Sequence, residues 1–366
     1  MKLQEIELST IHLPLVRPFR TSFGTQTSRE VLMVKVTNEN GTVGWAECVA
    51  MSEPLYSPEY VVGCLDLMKR FLIPALREKG SITAEDVPVV LKPFLGGQMA
   101  KAALETAILD AQLKESGISL ATYLGATKTK VECGVSVGIA NDLDSLVEEV
   151  KSYVDAGYRR IKLKIEPGWD YEAVKTIRNL YPDMPLQVDA NQAYSRSDGK
   201  LLARLDEFDL LLIEQPLDEH DILGHAMLAK EVKTPICLDE SIISLQSAED
   251  ALALKATTVI NIKPGRVGGY LESKKIHDLC VNNNIPVWCG GMLETGIGRA
   301  ANLALAALPG FTLPGDTSAS ARYFKQDITT PFVMDDGYLT VPTSPGIGIE
   351  PDLDFLSSIT KSKEIV

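Results

Sequence analysis

The sequence predicts a parallel (β/α)8-type barrel preceded by an α+β domain. From about residue 131, short apolar runs alternate with helical patterns, which is typical of parallel βα units. Five of these runs end in or near Lys164, Asp189, Glu214, Asp239 and Lys263, at intervals of 25, 25, 25 and 24 residues. One strand, one crossover helix and two loops fill about 25 residues, so the spacing indicates successive barrel units.

Residues 1–125 lack this spacing and are predicted to form the α+β capping domain. A hairpin turn is predicted at 38–41, where Gly41 can adopt a positive φ. Residues 17–28, which carry Phe19 and Phe23, are predicted to be a polar loop. The predicted strands of this domain are 3–15, 31–37 and 41–49, and the predicted helices are 58–79 and 99–115.

Residues 126–318 are assigned to the barrel, and residues 319–366 are predicted to return to the capping domain. The predicted barrel strands are 132–139, 160–165, 186–189, 210–214, 236–239, 259–263, 287–289 and 311–313. Helices are predicted between them, for example at 142–156, 269–282 and 297–308.

Composition narrows the classes of function. The formal charge of −13 over 366 residues disfavours binding to nucleic acid or an anionic membrane. Both are anionic and bind a basic protein surface, which this sequence does not show. The six cysteines are scattered, which favours reduced, buried thiols over zinc ligation or disulfides. No apolar run reaches about 18 residues and no signal peptide is evident, so we expect a soluble, cytoplasmic protein.

The run at 160–165 carries two lysines on one face. The strand period of two places Lys162 and Lys164 together and the alternating aliphatic side chains opposite. A lone Lys-x-Lys pattern is more often a solvated amphipathic strand. In a barrel, however, the aliphatic face packs against the outer helices, so the lysines face the lumen and need charged partners.

Three carboxylates could supply those partners. Asp189, Glu214 and Asp239 each end a predicted strand, where a single acid is more often a helix N-cap or a solvated loop residue. Three acids at equal spacing are harder to explain by capping. Converging carboxylate oxygens suit a hard divalent cation such as Mg²⁺, and the lack of His or Cys in the set argues against zinc.

Lys263 ends the strand roughly opposite Lys162 and Lys164. Cationic groups on both sides of a metal-bound carboxylate would serve proton abstraction from the adjacent carbon, because they stabilise the developing enediolate charge. A lysine base must be partly neutral near pH 7. Crowding by Lys162, or by Arg266 near Lys263, would lower the pKa, whereas the carboxylates would raise it.

Three stretches carry a resemblance to a known family. RIKLKIEPGW at 160–169, NIKPGRVGGY at 261–270 and WCGGMLETG at 288–296 resemble the enolase superfamily, in its muconate-lactonizing subgroup. More narrowly, they are similar to the o-succinylbenzoate synthase / N-acylamino acid (N-succinylamino acid) racemase family. The similarity extends over nearly the whole chain, including PFRTSFG at 18–24 and PLY at 54–56.

The resemblance implies a modified (β/α)8 (TIM-type) barrel with an α+β N-terminal capping domain. It implies that the three acids hold Mg²⁺, with Mn²⁺ as a substitute, and that Asn191 lies close by. It further implies that Lys164 is the base, that Lys263 is an acid, base or cationic stabiliser on the other face, and that Lys162 assists.

Substrate contacts are less sharply indicated. Asn191 is also expected to contact the substrate. Each of the following is open to a packing or capping role as well as to substrate contact: Phe23, Tyr56, Ser136, Met292 and Glu294. Arg266 and Asp316 are expected to support the lysines and acids. Related dipeptide epimerases resemble one another in an Asp-x-Asp that receives an ammonium group. Here the stretch 316–318 is Asp-Thr-Ser, which favours an acylated substrate.

The resemblance implies a Mg²⁺-dependent o-succinylbenzoate synthase of menaquinone synthesis that also racemises N-acylamino acids. One alternative is an enzyme whose main role is the racemase reaction. Another is a non-catalytic barrel that serves as a binding protein. The expected partner is a small carboxylate substrate, and the resemblance implies a homo-oligomer.

Overall fold

A four-stranded antiparallel sheet forms the centre of the N-terminal region. The computed structural model describes residues 1–366. The first three strands are β1 (Leu3–Thr21), β2 (Gly24–Asn38) and β3 (Val43–Cys48). The predicted turn at 38–41 is present, and Gly41 has a φ of +82°. The fourth strand comes from the C-terminus, so the sheet order is C-terminal strand, β1, β2, β3.

The predicted polar loop at 17–28 is wrong. Strands β1 and β2 continue through this stretch as a hairpin, with Phe19 paired to Gln26 and Thr21 paired to Gly24 across a two-residue turn. Most of its residues are partly or fully exposed, so hydrophobic alternation does not mark the strands. The hydroxyl of Ser22 at the tip donates to the carbonyl oxygens of Ala190 (3.2 Å) and Asn191 (3.1 Å) in the other domain.

Helices cover one face of this sheet. A π-helical turn at Met68–Leu72 joins the first two helices into one continuous segment, close to the predicted helix at 58–79. The long helix predicted at 99–115 spans Gln98–Ser116, and Gly97 and Gly117 adopt left-handed conformations at its two ends. The helices are α1 (Val61–Leu67), α2 (Ile73–Glu78), α3 (Val87–Val90), α4 (Gln98–Ser116) and α5 (Leu120–Leu124).

Seven parallel strands in consecutive order form the barrel wall. They are β5 (Gly134–Val137), β6 (Arg160–Lys164), β7 (Leu186–Asp189), β8 (Ile213–Glu214), β9 (Ile236–Leu238), β10 (Val259–Ile262) and β11 (Val287–Cys289). The helices that accompany them are α6 (Leu143–Asp155), α7 (Tyr171–Leu180), α8 (Gly199–Leu202), α9 (Ile222–Leu228), α10 (Leu245–Ala253), α11 (Pro264–Val267), α12 (Tyr270–Asn282) and α13 (Gly296–Ala306).

The eighth barrel position differs from the prediction. No regular strand forms at 311–313, because Pro314 has no N–H to donate and only isolated bridges connect the segment to its neighbours. Two backbone hydrogen bonds close the barrel instead. Gly134 N–H donates to Gly315 O at 2.7 Å, and Asp316 N–H donates to Cys289 O at 2.9 Å. The barrel is therefore a modified one, closed by an irregular eighth segment.

The first predicted barrel strand is also divided. The stretch 132–139 contains the end of β4 (Lys130–Glu132) and then β5, and β4 pairs outside the barrel with β12 (Tyr338–Thr340). The predicted strand at 210–214 shortens to β8. These differences arise because continuous apolar runs do not mark where pairing begins.

The chain ends against the N-terminal sheet. After α14 (Leu353–Ile359), β13 (Thr360–Ile365) pairs antiparallel with β1, with Glu7 opposite Ile365. The main hydrophobic core contains 97 buried residues from both the sheet region and the barrel. All six cysteines are buried and unpaired, as the sequence predicts. None of the helices is both long and apolar enough to cross a membrane.

Candidate active site

The polar face of β6 lies inside the barrel, as the alternation predicts. Lys162 and Lys164 are only 2% and 7% exposed, although both are lysines. The ammonium nitrogen of Lys162 lies 3.2 Å from Asp189 Oδ2, 3.0 Å from Glu214 Oε2 and 2.7 Å from Asp316 Oδ2. It also lies 4.7 Å from the ring centre of Trp288. Lys162 is therefore held as a fixed cation, and despite desolvation these acids raise its pKa.

Lys164 has a different environment. Its ammonium nitrogen donates to Asp189 Oδ2 and Asn191 Oδ1, both at 2.6 Å. Burial lowers the pKa of Lys164, and the positive charge of Lys162 lowers it further, against the opposing effect of Asp189. Of the two lysines on this strand, Lys164 is the one whose proton is more easily removed.

The carboxylates of Asp189 and Glu214 lie side by side. Their strands are paired in register, Asp189 with Glu214, so both side chains enter the lumen at the same level. Although burial opposes it, the charges of Lys164 and Lys162 hold the pKa of Asp189 well below its usual range. Burial and the neighbouring Asp189 raise the pKa of Glu214. The pair therefore concentrates negative charge at one point of the barrel mouth.

Asp239 contacts three side chains on the side of the barrel mouth opposite β6. Its Oδ2 accepts from the ammonium group of Lys263 at 2.7 Å, and its Oδ1 accepts from the hydroxyl of Tyr56 at 3.0 Å. The guanidinium of Arg266 also pairs with Asp239. Desolvation lowers the pKa of Lys263, but Tyr56 and Glu214 outweigh it and the net pKa is raised. Crowding by Arg266 thus does not neutralise Lys263 in this arrangement.

Two residues that the sequence analysis missed complete this arrangement. The amide of Asn261 donates to Glu214 Oε1 at 2.7 Å, and Glu240 Oε1 accepts from the amide of Asn191 at 2.9 Å. Asn261 lies two residues before Lys263 on the same strand, so the period of two could have placed it on the lumen face. Glu240 directly follows Asp239, and no sequence pattern marks it as a site residue of its own.

The predicted substrate-contact residues are only partly brought together. Ser136 is paired in register with Lys162, and its buried hydroxyl has no hydrogen-bond partner. Phe23, at the hairpin tip, lies 6.5 Å from Tyr56 between ring centres. Tyr56 therefore contacts the barrel at Asp239, and Phe23 lies beside Tyr56.

Met292 and Glu294 lie elsewhere around the site. They line a small cavity of about 30 Å³ that Lys263 also lines. Glu294 Oε1 accepts from the amide of Asn302 at 3.0 Å, which gives it a structural partner within its own loop and helix. Asp316 pairs with Arg160 at 2.9 Å and with Lys162 at 2.7 Å, so it binds two cationic side chains of β6.

The three strand-end carboxylates are the kind of ligand that a hard cation prefers. Three carboxylates from adjacent strands are at most 1% exposed, and all three donors are oxygen ligands. Each carboxylate is paired with a lysine or arginine here, and no three acids converge on one point. A cation bound by Asp189, Glu214 and Asp239 would take the place of these ammonium and guanidinium groups.

The fold and the site together define a capped barrel enzyme with buried lysines flanking strand-end acids. Residues 5–125 match the family described as mandelate racemase / muconate lactonizing enzyme, N-terminal domain, and residues 145–355 match the enolase C-terminal domain-like family. The chain belongs to the enolase superfamily, in its muconate-lactonizing subgroup, and within it to the o-succinylbenzoate synthase / N-acylamino acid racemase family.

Individual relatives agree over the full length. The chain is 56% identical to an N-succinylamino acid racemase of Amycolatopsis sp. over 99% of both chains. It is 46% identical to an o-succinylbenzoate synthase of Geobacillus kaustophilus, over 96% of this chain and 94% of that one. A crystal structure of an enolase superfamily member from Listeria innocua matches with a TM-score of 0.96 and 42% identity, over 100% of this chain and 99% of that one.

These relationships identify the protein as an enzyme, which excludes the alternative of a barrel retained only for binding. The named relatives include both a lyase and a racemase. Enzymes of this superfamily generally use a divalent metal ion, in agreement with the chemistry of the three carboxylates.

Proposed function

We propose that the protein is a Mg²⁺-dependent o-succinylbenzoate synthase of menaquinone biosynthesis that also racemises N-acylamino acids. The observation that carries the proposal is the placement of Lys164 and Lys263 on opposite sides of the acids. Lys164 pairs with Asp189, and Lys263 pairs with Asp239 two strands further on. A carboxylate substrate between them would present one face of its α-carbon to each lysine.

The residues of the chain account for both halves of the dehydration. In its neutral form, the amine of Lys164 takes the proton from the carbon next to the carboxylate of 2-succinyl-6-hydroxy-2,4-cyclohexadiene-1-carboxylate. The enediolate then expels the ring hydroxyl, which receives the proton from the Lys164 ammonium group and leaves as water. A bound Mg²⁺ would supply positive charge at the carboxylate oxygens. Lys263 and Lys162 remain charged and stabilise the enediolate.

Racemisation uses the same groups in another order. Lys164 removes the α-proton of an N-acylamino acid from one face, and Lys263 delivers a proton to the other. Lys263 must be protonated for this step, and the raised pKa of Lys263 favours that state. The 56% identity to a protein named N-succinylamino acid racemase favours this reaction as the second candidate for the main role.

Specificity constants decide between the two roles. We expect kcat/KM for the cyclohexadiene carboxylate to equal or exceed that for a panel of N-succinylamino acids, measured with the same enzyme and Mg²⁺. A synthase value several orders of magnitude below the best racemase value would reverse the order. No turnover of either substrate class would contradict the proposal as a whole.

A further inference from the structure

The three acids proposed to hold the cation are closed off from solvent. Asp189, Glu214 and Asp239 are at most 1% exposed, and the cap residues Phe23 and Tyr56 lie over the same mouth. Mg²⁺ is strongly hydrated and gives up its water reluctantly, so it needs a polar route wide enough for several waters. The location of such a route does not follow from the identity of the ligands.

One cavity reaches from the surface to Glu240 and Arg266, which both adjoin Asp239. It has a volume of about 220 Å³ and lies between the cap and the ends of β8, β9 and β10. Its outer wall contains His220, whose side chain is 87% exposed, and Ile243. Its inner wall contains Tyr56 and Glu240, both buried. The cavity therefore extends from solvent to the residue next to Asp239.

Glu240 lines this cavity and has one buried carboxylate oxygen without a partner. The residue is 2% exposed, its Oε1 accepts from Asn191, and its Oε2 has no hydrogen-bond partner. A buried carboxylate oxygen without a partner is costly unless something else satisfies it. Glu219 lines the same cavity closer to the surface. A hydrated cation would offer Glu240 Oε2 the partner that the protein does not, with Glu219 as a second acid nearer the surface.

The positive group in the wall is already engaged. Arg266 donates to Ile242 O and to Asn261 O, both at 2.6 Å, and pairs with Asp239. The guanidinium group of Arg266 is thus already bonded to acceptors of the protein. The other cavity at the site, behind Lys263, holds only about 30 Å³, which suffices for a water or two but not for a hydrated ion.

We propose that the cavity lined by Glu219 and Glu240 is the port through which the divalent cation enters and leaves the active site. Glu240 is linked to the metal-binding side through Asn191, whose side-chain amide donates to Glu240 Oε1 at 2.9 Å and whose backbone N–H donates to Asp189 Oδ1 at 3.0 Å. Tyr56 forms the inner wall through its hydrogen bond to Asp239. This inference rests on the metal site of the proposed function.

The test measures the rates of Mn²⁺ binding to the full-length protein. Stopped-flow tryptophan fluorescence gives the association rate, release into excess EDTA gives the dissociation rate, and electron paramagnetic resonance of free Mn²⁺ gives the equilibrium Kd. The variants are Glu240→Gln and Glu219→Gln, which remove charge from the port, and Ile243→Trp, which narrows it without changing charge. Glu249→Gln, an exposed acid on α10, is the matched control.

We expect the association rate to fall at least fivefold in Glu240→Gln and Ile243→Trp and less in Glu219→Gln. In Ile243→Trp the dissociation rate should fall equally, so Kd stays within twofold of the wild type. Wild-type association rates in both Glu240→Gln and Ile243→Trp would overturn the port while leaving the metal site intact. A wild-type protein that binds no Mn²⁺ would overturn the metal site itself and the port with it.

Discussion

The ammonium group of Lys164 donates to Oδ2 of Asp189 at 2.6 Å, and the two residues are directly paired across β6 and β7. The contact keeps the lysine charged for as long as the carboxylate is free to pair with it. A cation on Asp189 would weaken that pairing and favour the neutral amine. In the proposed mechanism, Asp189 would thus couple metal binding to the availability of Lys164 as the base.

Replacement of either facing lysine should remove proton exchange at the α-carbon. We expect Lys164→Ala and Lys263→Ala each to lower solvent-deuterium exchange into an N-succinylamino acid by about 10²–10⁴-fold, the usual contribution of a general acid or base. Proton NMR of the substrate in D₂O measures the exchange. Lys175→Ala, at a half-exposed lysine on α7, is the control and should retain full exchange. Exchange that survives either lysine change would contradict the mechanism.

Removal of divalent metal should stop the reaction without unfolding the protein. After treatment with EDTA we expect turnover to be lost and the far-UV circular dichroism to be unchanged, because 97 residues of core do not depend on the site. Added Mg²⁺ or Mn²⁺ should restore turnover, and Glu214→Gln should not be restored by the same additions. Full activity in the presence of excess EDTA would show that no exchangeable metal takes part.

Loss of the Asp316 carboxylate should destabilise the barrel. Asp316 is the partner of both Arg160 and Lys162, and Arg160 is fully buried. Asp316→Asn would leave two buried cations with a weaker partner, so we expect a loss of about 3–5 kcal/mol in the free energy of unfolding. Urea denaturation measures it.

The exposed Lys130–Asp335 pair supplies the matched control for this change. Asp335→Asn removes an ion pair in solvent and should cost about 0–1 kcal/mol. Equal effects of Asp316→Asn and Asp335→Asn would show that burial of the Arg160 and Lys162 charges does not set the cost.

The lysines and acids could be predicted because their positions follow from backbone periodicity. The strand period placed Lys162 and Lys164 on one face, and the equal spacing of Asp189 and Glu214 brought them to one level of a parallel barrel. Both rules depend only on local geometry. The same rules extend to Asn261, which the sequence analysis did not use.

Contacts between distant segments could not be predicted in this way. The hydrogen bond from Tyr56 to Asp239 joins residues 183 positions apart, and it depends on how the cap sits on the barrel. The sequence predicts a loop where the hairpin arm carrying Phe23 forms, because its largely exposed strands lack hydrophobic alternation. Glu240 differs from a solvated acid only in its burial, which the sequence does not encode locally.

The stability of the protein should depend on pH through a buried acid on α4. Glu105 is 1% exposed and accepts from the backbone N–H of Leu271 at 3.2 Å. Burial raises the pKa of Glu105 from 4.5 to about 8. Between these values the folded protein holds a proton that the unfolded chain releases, so the free energy of unfolding should fall as pH rises from about 4.5 to 8 and level off above.

Glu105→Gln should therefore flatten this dependence. Urea denaturation at pH 5 and pH 8 measures the difference, which we expect to be smaller in the variant than in the wild type. Some slope should remain, because burial also raises the pKa of Glu47 to about 8. Glu249→Gln, at an exposed position, should keep the wild-type slope. An unchanged slope in Glu105→Gln would mean that this carboxyl is ionised in the folded protein.

Packing of the cap sheet on its long helix should depend on the absence of a side chain at Gly44. A Cβ atom there would lie 2.0 Å from the carbonyl oxygen of Ala107 and 2.6 Å from the nitrogen of Ala111, both in the backbone of α4. Neither atom can move without displacing the helix. We expect Gly44→Ala to lower the free energy of unfolding by about 1–3 kcal/mol.

A second glycine separates this steric effect from the general effect of adding a methyl group. At Gly63, in α1, a Cβ would meet only the ring of Tyr60, which is partly exposed and can turn aside. Alanine also favours the helix over glycine by about 1 kcal/mol, so Gly63→Ala should be neutral or stabilising. Urea denaturation of both variants gives the comparison. If Gly44→Ala proved as stable as Gly63→Ala, β3 and α4 would have to lie further apart than these contacts require.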